Sequence, residues 1–442
     1  MMDKMFHAVR LDSDKCTGCI NCIKHCPTGA IRIRAGKAKV LKELCIDCGE
    51  CIRVCPSHAM RAVYDHLNVT DGYEYKIALL SPTIFGQIRN LEDLDYVMTA
   101  FKKIGFDDVF ETSRAAELIS EATRKYMNSS AYEYPVISSA CPTVVKLIQL
   151  KFPDLCSHVL PIKSPMHIAA KMAREEAVNK TGLDAEKIGV FYISPCTSEV
   201  TEAKNPIIDC ETGIDGVIGI CEVYHQLVAT MEKLDKVDAI ANSGLIGVSW
   251  AIDGGESAAL MSSHYLSAGG IENVMNVLEE IEEKKFKRLH FVELRACDAG
   301  CVGGILTVKN PFMAKARTQI LRKYLPVSMN HLETDDVPKD MLFGATLNAV
   351  EGMKLSDNLF EALAIMQKID GIEKKLPGLD CGACGSPSCK TFAEDVALGY
   401  SNENDCVFIM RDQVQHFAKQ MSLLGMNLGD NRADNNDLKE CE

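Results

Sequence analysis

Twenty cysteines are the residues most able to do chemistry in this 442-residue chain. Eight of them lie in the first 75 residues, in two copies of one pattern about 29 residues apart. The copies are Cys16-x2-Cys19-x2-Cys22-x3-Cys26-Pro27 and Cys45-x2-Cys48-x2-Cys51-x3-Cys55-Pro56. In such a run three close thiolates grip one face of a cubane 4Fe-4S cluster and the fourth reaches the neighbouring cluster. One cluster is therefore expected on Cys16, Cys19, Cys22 and Cys55, and a second on Cys45, Cys48, Cys51 and Cys26. The prolines turn the chain away after the last ligand. A zinc site or a set of buried thiols does not account for so specific a duplicated spacing.

Two further groups follow. Cys381-Gly-Ala-Cys384-Gly-Ser-Pro-Ser-Cys389, with Cys406, supplies four thiolates on a Gly/Pro-rich loop. Glycines let a backbone wrap a cluster and aim amide donors at its sulfurs; a structural zinc site with the same ligands is the alternative. Four more cysteines are scattered: Cys141 in Ser139-Ala140-Cys141-Pro142, Cys196 in Ser194-Pro195-Cys196-Thr197, and the pair in Cys297-Asp298-Ala299-Gly300-Cys301. Each motif follows a strand-like run, and carboxyl ends of strands in an open α/β sheet converge on one crevice. They could meet there around one cluster. Taken singly, each reads more simply as a buried apolar cysteine.

The elements that must position these groups are legible in outline. Strand-like runs at Lys76–Ser81, Val136–Ser139, Ile188–Ile193 and Leu289–Glu293 alternate with amphipathic stretches such as Ile162–Glu176 and Glu272–Glu283. That alternation predicts α/β architecture with a mostly parallel sheet. The length allows two or three domains, and a hydrophobic fraction of 47% supplies real cores. A formal charge of −13 argues against nucleic-acid or anionic-membrane partners. With no apolar leader after Met1 and no apolar run of membrane-spanning length, the expected setting is cytoplasmic, without membrane insertion, where thiols are metal ligands rather than disulfides. No GxGxxG, GxxxxGK[ST] or HExxH occurs, which leaves nicotinamide, phosphate-cradle and zinc-protease chemistry without a basis. His158, His167, His264 and His290 show no pairing with a nucleophile and no metal spacing.

The first segment resembles bacterial two-cluster ferredoxins along its whole length, which implies one-electron traffic. Roughly residues 76–320 resemble the active-site domain of FeFe hydrogenases, with the three central motifs in the same order. That resemblance implies a cubane on Cys141, Cys196, Cys297 and Cys301, with the Cys301 thiolate also bridging to a di-iron unit that carries CO and cyanide. It also implies cofactor-binding roles for Pro82, Lys163, Ser164, Glu202, Gly269 and Gly270. The Cys381 group resembles a small iron–sulfur module appended to sensory hydrogenase-like proteins. Cys156, Cys210, Cys221 and Cys441 match no motif and read as structural or incidental.

The departures from the family matter most for function. Ala140 stands where catalytic members place a proton-donating cysteine, Arg114 aligns approximately with a relay glutamate, and Leu160 with a relay serine; none of the three can pass a proton. A methionine of the second motif is replaced by Ser194, the lysine that hydrogen-bonds a cyanide by Glu199, and a pocket methionine by Arg295. An ionised Glu199 beside an anionic ligand in a low-dielectric pocket is costly. Glu199 is thus expected to be protonated, to point elsewhere, or to exclude the di-iron unit. A buried Glu199–Arg295 pair would offset the charge; a rim position in solvent is the alternative for both.

The sequence therefore predicts an α+β and α/β chain of four segments. These are a ferredoxin-like domain at 1–75, a two-lobed hydrogenase-like domain at 76–365, a C-terminal 4Fe-4S module at 366–412 and an acidic tail at 413–442. Four 4Fe-4S clusters are expected, with a normal di-iron subcluster disfavoured and no catalytic residue assigned. The function expected is hydrogen or redox sensing, or electron transfer, with weak or no hydrogen turnover; an active hydrogenase with an altered proton path is the alternative. The partner expected is a redox or signalling protein, with hydrogen a candidate ligand and the oligomeric state left open.

Overall fold

A computed structural model describes residues 6–429 apart from 130–131, 209–211, 287, 351, 353–354 and 357. Cys210, Cys441 and the last thirteen residues of the segment read as an acidic tail, 430–442, lie outside the described residues. The chain forms two compact units, Met1–Cys16 with Leu41–Gly352, and Thr17–Val40 with Met353–Glu442. The second unit thus takes its N-terminal part from within the first 75 residues.

The cysteine duplication is a structural duplication. Strand β1 (Val9–Leu11) stands alone before the first copy, β2 (Ile31–Arg34) and β3 (Lys37–Val40) form a hairpin, and β4 (Met60–Ala62) returns to pair antiparallel with β1. Each copy has a one-turn helix at the same offset, Asn21–Lys24 and Glu50–Arg53. The left-handed positions also repeat: Gly18 and Asp47 at φ 71° and 51°, Gly29 and His58 at 61° and 50°. In each copy an amide four residues on donates to the sulfur of the last cysteine, Ala30 to Cys26 and Ala59 to Cys55, both at 3.2 Å. Repeated spacing has produced a repeated thiolate cradle.

The larger unit holds two parallel sheets. The four-stranded sheet runs β6 (Asp108–Glu111), β5 (Tyr75–Leu80), β8 (Ile188–Ser194), β9 (Gly216–Gly219). Strand β8 is buried on both faces, as its continuous apolar run requires of a central parallel strand. The three-stranded sheet runs β10 (Tyr265–Gly269), β11 (Phe291–Arg295), β7 (Val136–Ile137). Three cores result. Two lie on opposite faces of the four-stranded sheet, one around Leu79, Val190 and Trp250 and the other around Phe85, Phe101 and Phe191. The third packs helices Pro142–Lys151 and Ile271–Glu282 on the smaller sheet. The expected alternation of strands and helices, the parallel pairing and the two lobes are all present.

In the smaller unit the β2–β3 hairpin and the C-terminal residues interlock. Asp395, buried, accepts from Arg32 Nε, Arg34 Nη2 and Ser386 Oγ, each at 2.7 Å. The Ile33 amide donates to the Gly385 carbonyl (2.8 Å). Gly385 has φ +78°, and a Cβ there would sit 2.2 Å from the Ile33 carbonyl oxygen, so the close approach needs glycine. The helix Val407–Gly429 runs into the segment read from sequence as a tail. Among the described residues no helix is long and apolar enough to cross a membrane.

Candidate iron–sulfur and pocket site

Every central motif sits at the carboxyl end of a parallel strand. Cys141 follows β7 and opens the helix Pro142–Lys151; Cys196 follows β8 and opens the helix Thr197–Lys204; Cys297 and Cys301 follow β11. Ser81, Pro82 and Thr83 cap β5 beside them. The four thiols are close enough to feel one another's charge. Burial pushes Cys196 and Cys297 well above the ordinary thiol range, and each is raised further by neighbouring sulfurs, Cys301 among them. Burial pushes Cys301 up to about 12, against the pull of Arg295 and with help from Glu199 and Cys141. Four soft sulfur donors brought together at the strand ends, three of them costly to ionise without a metal, are what a cubane requires: its irons supply the charge that turns such groups into thiolates.

Gly270, with φ +92°, supports this centre from behind. Its amide donates to the carbonyls of Arg295 (3.0 Å) and Cys297 (3.2 Å), and a Cβ would meet Asp298 Oδ1 at 2.6 Å. Gly269 lies equally close, its added Cβ 3.2 Å from the Cys297 carbonyl. These two glycines hold the backbone of the Cys297 loop.

The second ferredoxin-like motif lies against the centre within the same unit. The Thr197 hydroxyl donates to the Asp47 carbonyl (2.7 Å), Arg53 to the Gly303 carbonyl (2.9 Å), and Cys48 is near enough to Cys297 for its charge to raise that thiol. In the motif itself burial opposes ionisation of Cys55, but hydrogen bonds from Met60, Ser57 and Ala59 outweigh it and hold the thiol below its ordinary range. Near Cys45, His7 Nδ1 hydrogen-bonds Asp47 Oδ2 (2.7 Å), and donor atoms of all three residues lie within 4.8 Å of one another.

A cavity of about 40 Å³ opens beside Cys301, walled by Pro82, Ala140, Tyr192, Glu199, Trp250 and Arg295 among others. That is room for about three waters. Glu199 faces it, half-buried, accepting from Ser194 Oγ (2.8 Å). Burial raises the Glu199 carboxyl, and Ser194, Tyr192, Cys196 and Arg295 pull it back only in part. Arg295 is also buried, but it does not pair with Glu199: its Nη2 bonds Glu256 (2.9 Å) and its Nε reaches Glu293 (3.4 Å). Its guanidinium lies 5.6 Å from the Trp250 ring centroid. Glu256 also accepts from Ser138 Oγ at 2.8 Å, and Glu293 from the Gly254 and Ser257 amides. The expected Glu199–Arg295 pair is thus replaced by two separate sets, with Arg295 buried and Glu199 half-buried at the cavity wall.

The altered relay positions diverge. Ala140 lines the cavity; Leu160 is 1% exposed within an apolar core. Arg114 points to the surface, its guanidinium bonded to Glu176 (2.7 Å) and stacked over Phe110 at 4.2 Å. Lys163, Ser164 and Glu202 instead border a second cavity of about 30 Å³ with His167. Ser164 lines both cavities. Burial raises Glu202 to about 7, against Lys146, and burial with the Lys163 charge lowers His167 to about 4.

In the smaller unit burial raises the Cys384 thiol, and the charges of the neighbouring Cys406 and Cys381 add to it. Cys389 opens the helix Cys389–Ala397, its amide bonded to Asp380 (2.6 Å) and the turn capped by Ser388. Glu256, Glu293 and Tyr192 are the site residues that sequence reasoning missed. Glu293 stood at the head of the third motif; Glu256 carries no local signal.

Comparison with known proteins agrees with this geometry. Residues 74–305 match the family of the iron only hydrogenase large subunit, C-terminal domain, residues 8–56 a 4Fe-4S dicluster domain, and residues 376–408 an Fe-S cluster family. The chain belongs to the iron-only hydrogenase large-subunit family and is an iron–sulfur protein of hydrogenase-like type. It is 23% identical over 298 residues to iron hydrogenase 1 of Clostridium pasteurianum, covering 55% of this chain and 52% of that protein. It is 23% identical over 282 residues to the cytosolic iron-sulfur assembly component 3 of Bos taurus, covering 51% of this chain and 59% of that protein. The match thus spans little more than half the length of these relatives. A solved FeFe-hydrogenase variant from Chlamydomonas reinhardtii superposes with a TM-score of 0.44 at 19% identity, over 57% of this chain and 84% of that one.

Proposed function

We propose that this chain is an electron-transfer or redox-sensing member of its family. In this reading it holds four 4Fe-4S clusters, has weak or no hydrogen turnover, and keeps the pocket beside Cys301 closed to a cyanide-bearing di-iron unit. The relatives include both a hydrogenase and an iron–sulfur assembly component, so membership alone does not choose between chemistries. The observation that carries the reading is the pair of charged residues in the pocket wall: Glu199, bonded to Ser194, and Arg295, held by Glu256 and Glu293.

Unit charges about 4 Å apart repel by roughly 4 kcal/mol at an effective dielectric near 20, so an ionised Glu199 beside cyanide is untenable. Arg295 offsets this only in part, because its charge is shared with two carboxylates that it bonds directly. A volume of about 40 Å³ is also small for a di-iron unit, each diatomic ligand of which displaces about one water. Arg114, Ala140 and Leu160 supply no proton path. The donor set of Cys141, Cys196, Cys297 and Cys301 suits a cubane alone, and Cys48 beside Cys297 suits an electron exchanged with the second ferredoxin-like cluster. A separate redox or signalling protein would take up the electron or the signal.

Infrared spectroscopy of protein co-produced with the di-iron maturation machinery tests this. The expected result is silence in the CO and cyanide window with the cubanes loaded. Near-stoichiometric bands would overturn the reading in favour of a hydrogen-binding protein. The companion is Glu199→Lys with Arg295→Met and Glu256→Gln, which replaces the added anion with a cationic donor and removes the Arg295–Glu256 ion pair, and should gain the bands if charge is what excludes the unit.

A further inference from the structure

The helix Val407–Gly429 begins directly after Cys406, and the Met410 amide donates to the Cys406 carbonyl (2.9 Å). From Met410 to Leu424 every residue is exposed. Along it Val407, Met410, Val414, Phe417, Met421 and Leu424 recur at alternating steps of three and four, each between 50% and 66% exposed. In sequence the register continues at Leu428. A mean step of 3.5 residues is the heptad seam of a coiled coil, with Val407, Val414 and Met421 at a and Met410, Phe417 and Leu424 at d. A single helix is marginal in water, and its stability comes from packing its apolar face. An apolar stripe of this length marks a contact surface.

We propose that this helix is a homodimerisation element, pairing with its counterpart in a second copy of the chain as a two-stranded coiled coil. Three features favour a second copy over a different partner. Valine at two a positions and leucine at a d position favour two strands. The flanking e and g positions are Arg411, Gln413, Ala418 and Gln420, so self-pairing sets no like charges together, whereas a heterologous partner would be selected through charges that are missing here. Charge complementarity points the same way. The chain carries −13 overall, but Arg411, Asp412 and Lys419 leave this helix with one net positive charge before its histidine, so two acidic copies can approach along it. In a two-fold pair each side chain meets its own counterpart, an isologous contact that closes at two. Because Cys406 ends where the seam begins, the dimer is connected through a single turn to the C-terminal cluster ligands.

The test is analytical ultracentrifugation of the full-length, iron-loaded protein under anaerobic conditions across the micromolar range. The expected result is a concentration-dependent species at twice the 48.6 kDa chain mass. Val414→Glu and Phe417→Glu should each return it to the monomer with iron content and far-UV helicity kept, while Lys419→Glu, on the opposite face, stays dimeric. A wild-type monomer throughout, or a dimer that survives both seam variants, overturns the proposal. So does a monomer that cosediments through this helix with phosphatidylglycerol vesicles, which would make it a lipid-facing helix. None of these readouts depends on what fills the pocket beside Cys301, so this proposal and the functional reading fail separately.

Discussion

Replacing Arg295 with methionine should destabilise the protein strongly, and replacing Glu256 with glutamine in the same chain should restore most of the loss. Arg295, Glu256 and Glu293 have side chains 4%, 2% and 0% exposed, so the cluster is cut off from solvent. At 2.9 Å from Glu256 the attraction is about 6 kcal/mol at an effective dielectric near 20, most of it offset by the cost of desolvating both ions. The intact pair is therefore nearly neutral against an apolar replacement, but removing one partner leaves a buried uncompensated charge, a loss of about 3–5 kcal/mol. Burial already raises Glu256 to about 7, and Arg295 is the main influence holding it down. Without the guanidinium the folded-state value climbs further above the unfolded one near 4.5. The unfolded chain then releases its proton first as pH rises, so the Arg295→Met penalty should be small near pH 4.5 and grow through neutrality. Anaerobic melting of iron-loaded protein at a fixed scan rate should show a drop of about 4–7 °C at pH 7.5 for Arg295→Met. A drop of only about 1–2 °C, or a double variant no better than the single, would refute the argument that Arg295 is held by these carboxylates.

Three further outcomes follow from the site. Anaerobically reconstituted protein should bind about sixteen irons with matching sulfide, and Cys384→Ser should lose about four of them; zinc at the Cys381 group of an anaerobically purified sample would defeat the fourth cluster. Hydrogen evolution from a reduced dye should be slow or absent, and Ala140→Cys alone should restore little, since Arg114 is tied to Glu176 and Leu160 lies in the core. Turnover like that of ordinary hydrogenases would show another proton path. Glu202, raised to about 7 by burial, costs the fold up to about 3 kcal/mol as pH rises from 4.5 to 8. Glu202→Gln should therefore melt above the parent at pH 8 and with it at pH 4.5; equal melting at both would mean that burial does not perturb this carboxyl.

What was legible in the sequence is what is local or periodic. The duplicated cysteine run carries its own spacing, and the structure repeats not only the helices but the left-handed positions at Gly18 and Asp47. Strands such as Ile188–Ser194 announce themselves as apolar runs because a central parallel strand is buried on both faces. What was not legible depends on pairs distant in the chain. Asp395 gathers Arg32 and Arg34 from more than 350 residues away, and no composition shift marks that hairpin as belonging with the C-terminal residues. The helix Val407–Gly429 was hidden for another reason: its apolar residues are interleaved with polar ones and run on into an acidic terminus, so the segment reads as a solvated tail unless the alternation of three and four is counted.

The pocket shows the same division. That Glu199 and Arg295 are foreign to a cyanide-lined site could be read from their types, and their mutual pairing was the simplest inference from two opposite charges. The structure instead gives each its own company: Glu199 takes the hydroxyl of Ser194, itself a departure from the family, while Arg295 takes Glu256 and Glu293. A site that had merely lost its ligand would be expected to leave such charges unpaired, at a cost of several kcal/mol each. Here Ser194 with Glu199, and Arg295 with two carboxylates and the Trp250 face, form two separate partnered sets in the wall of the cavity. Substitutions that satisfy one another describe a pocket rebuilt around a buried polar wall. Under the electron-transfer reading proposed above, a wall of that kind beside Cys301 would act on the energy of an electron held at the cysteine centre.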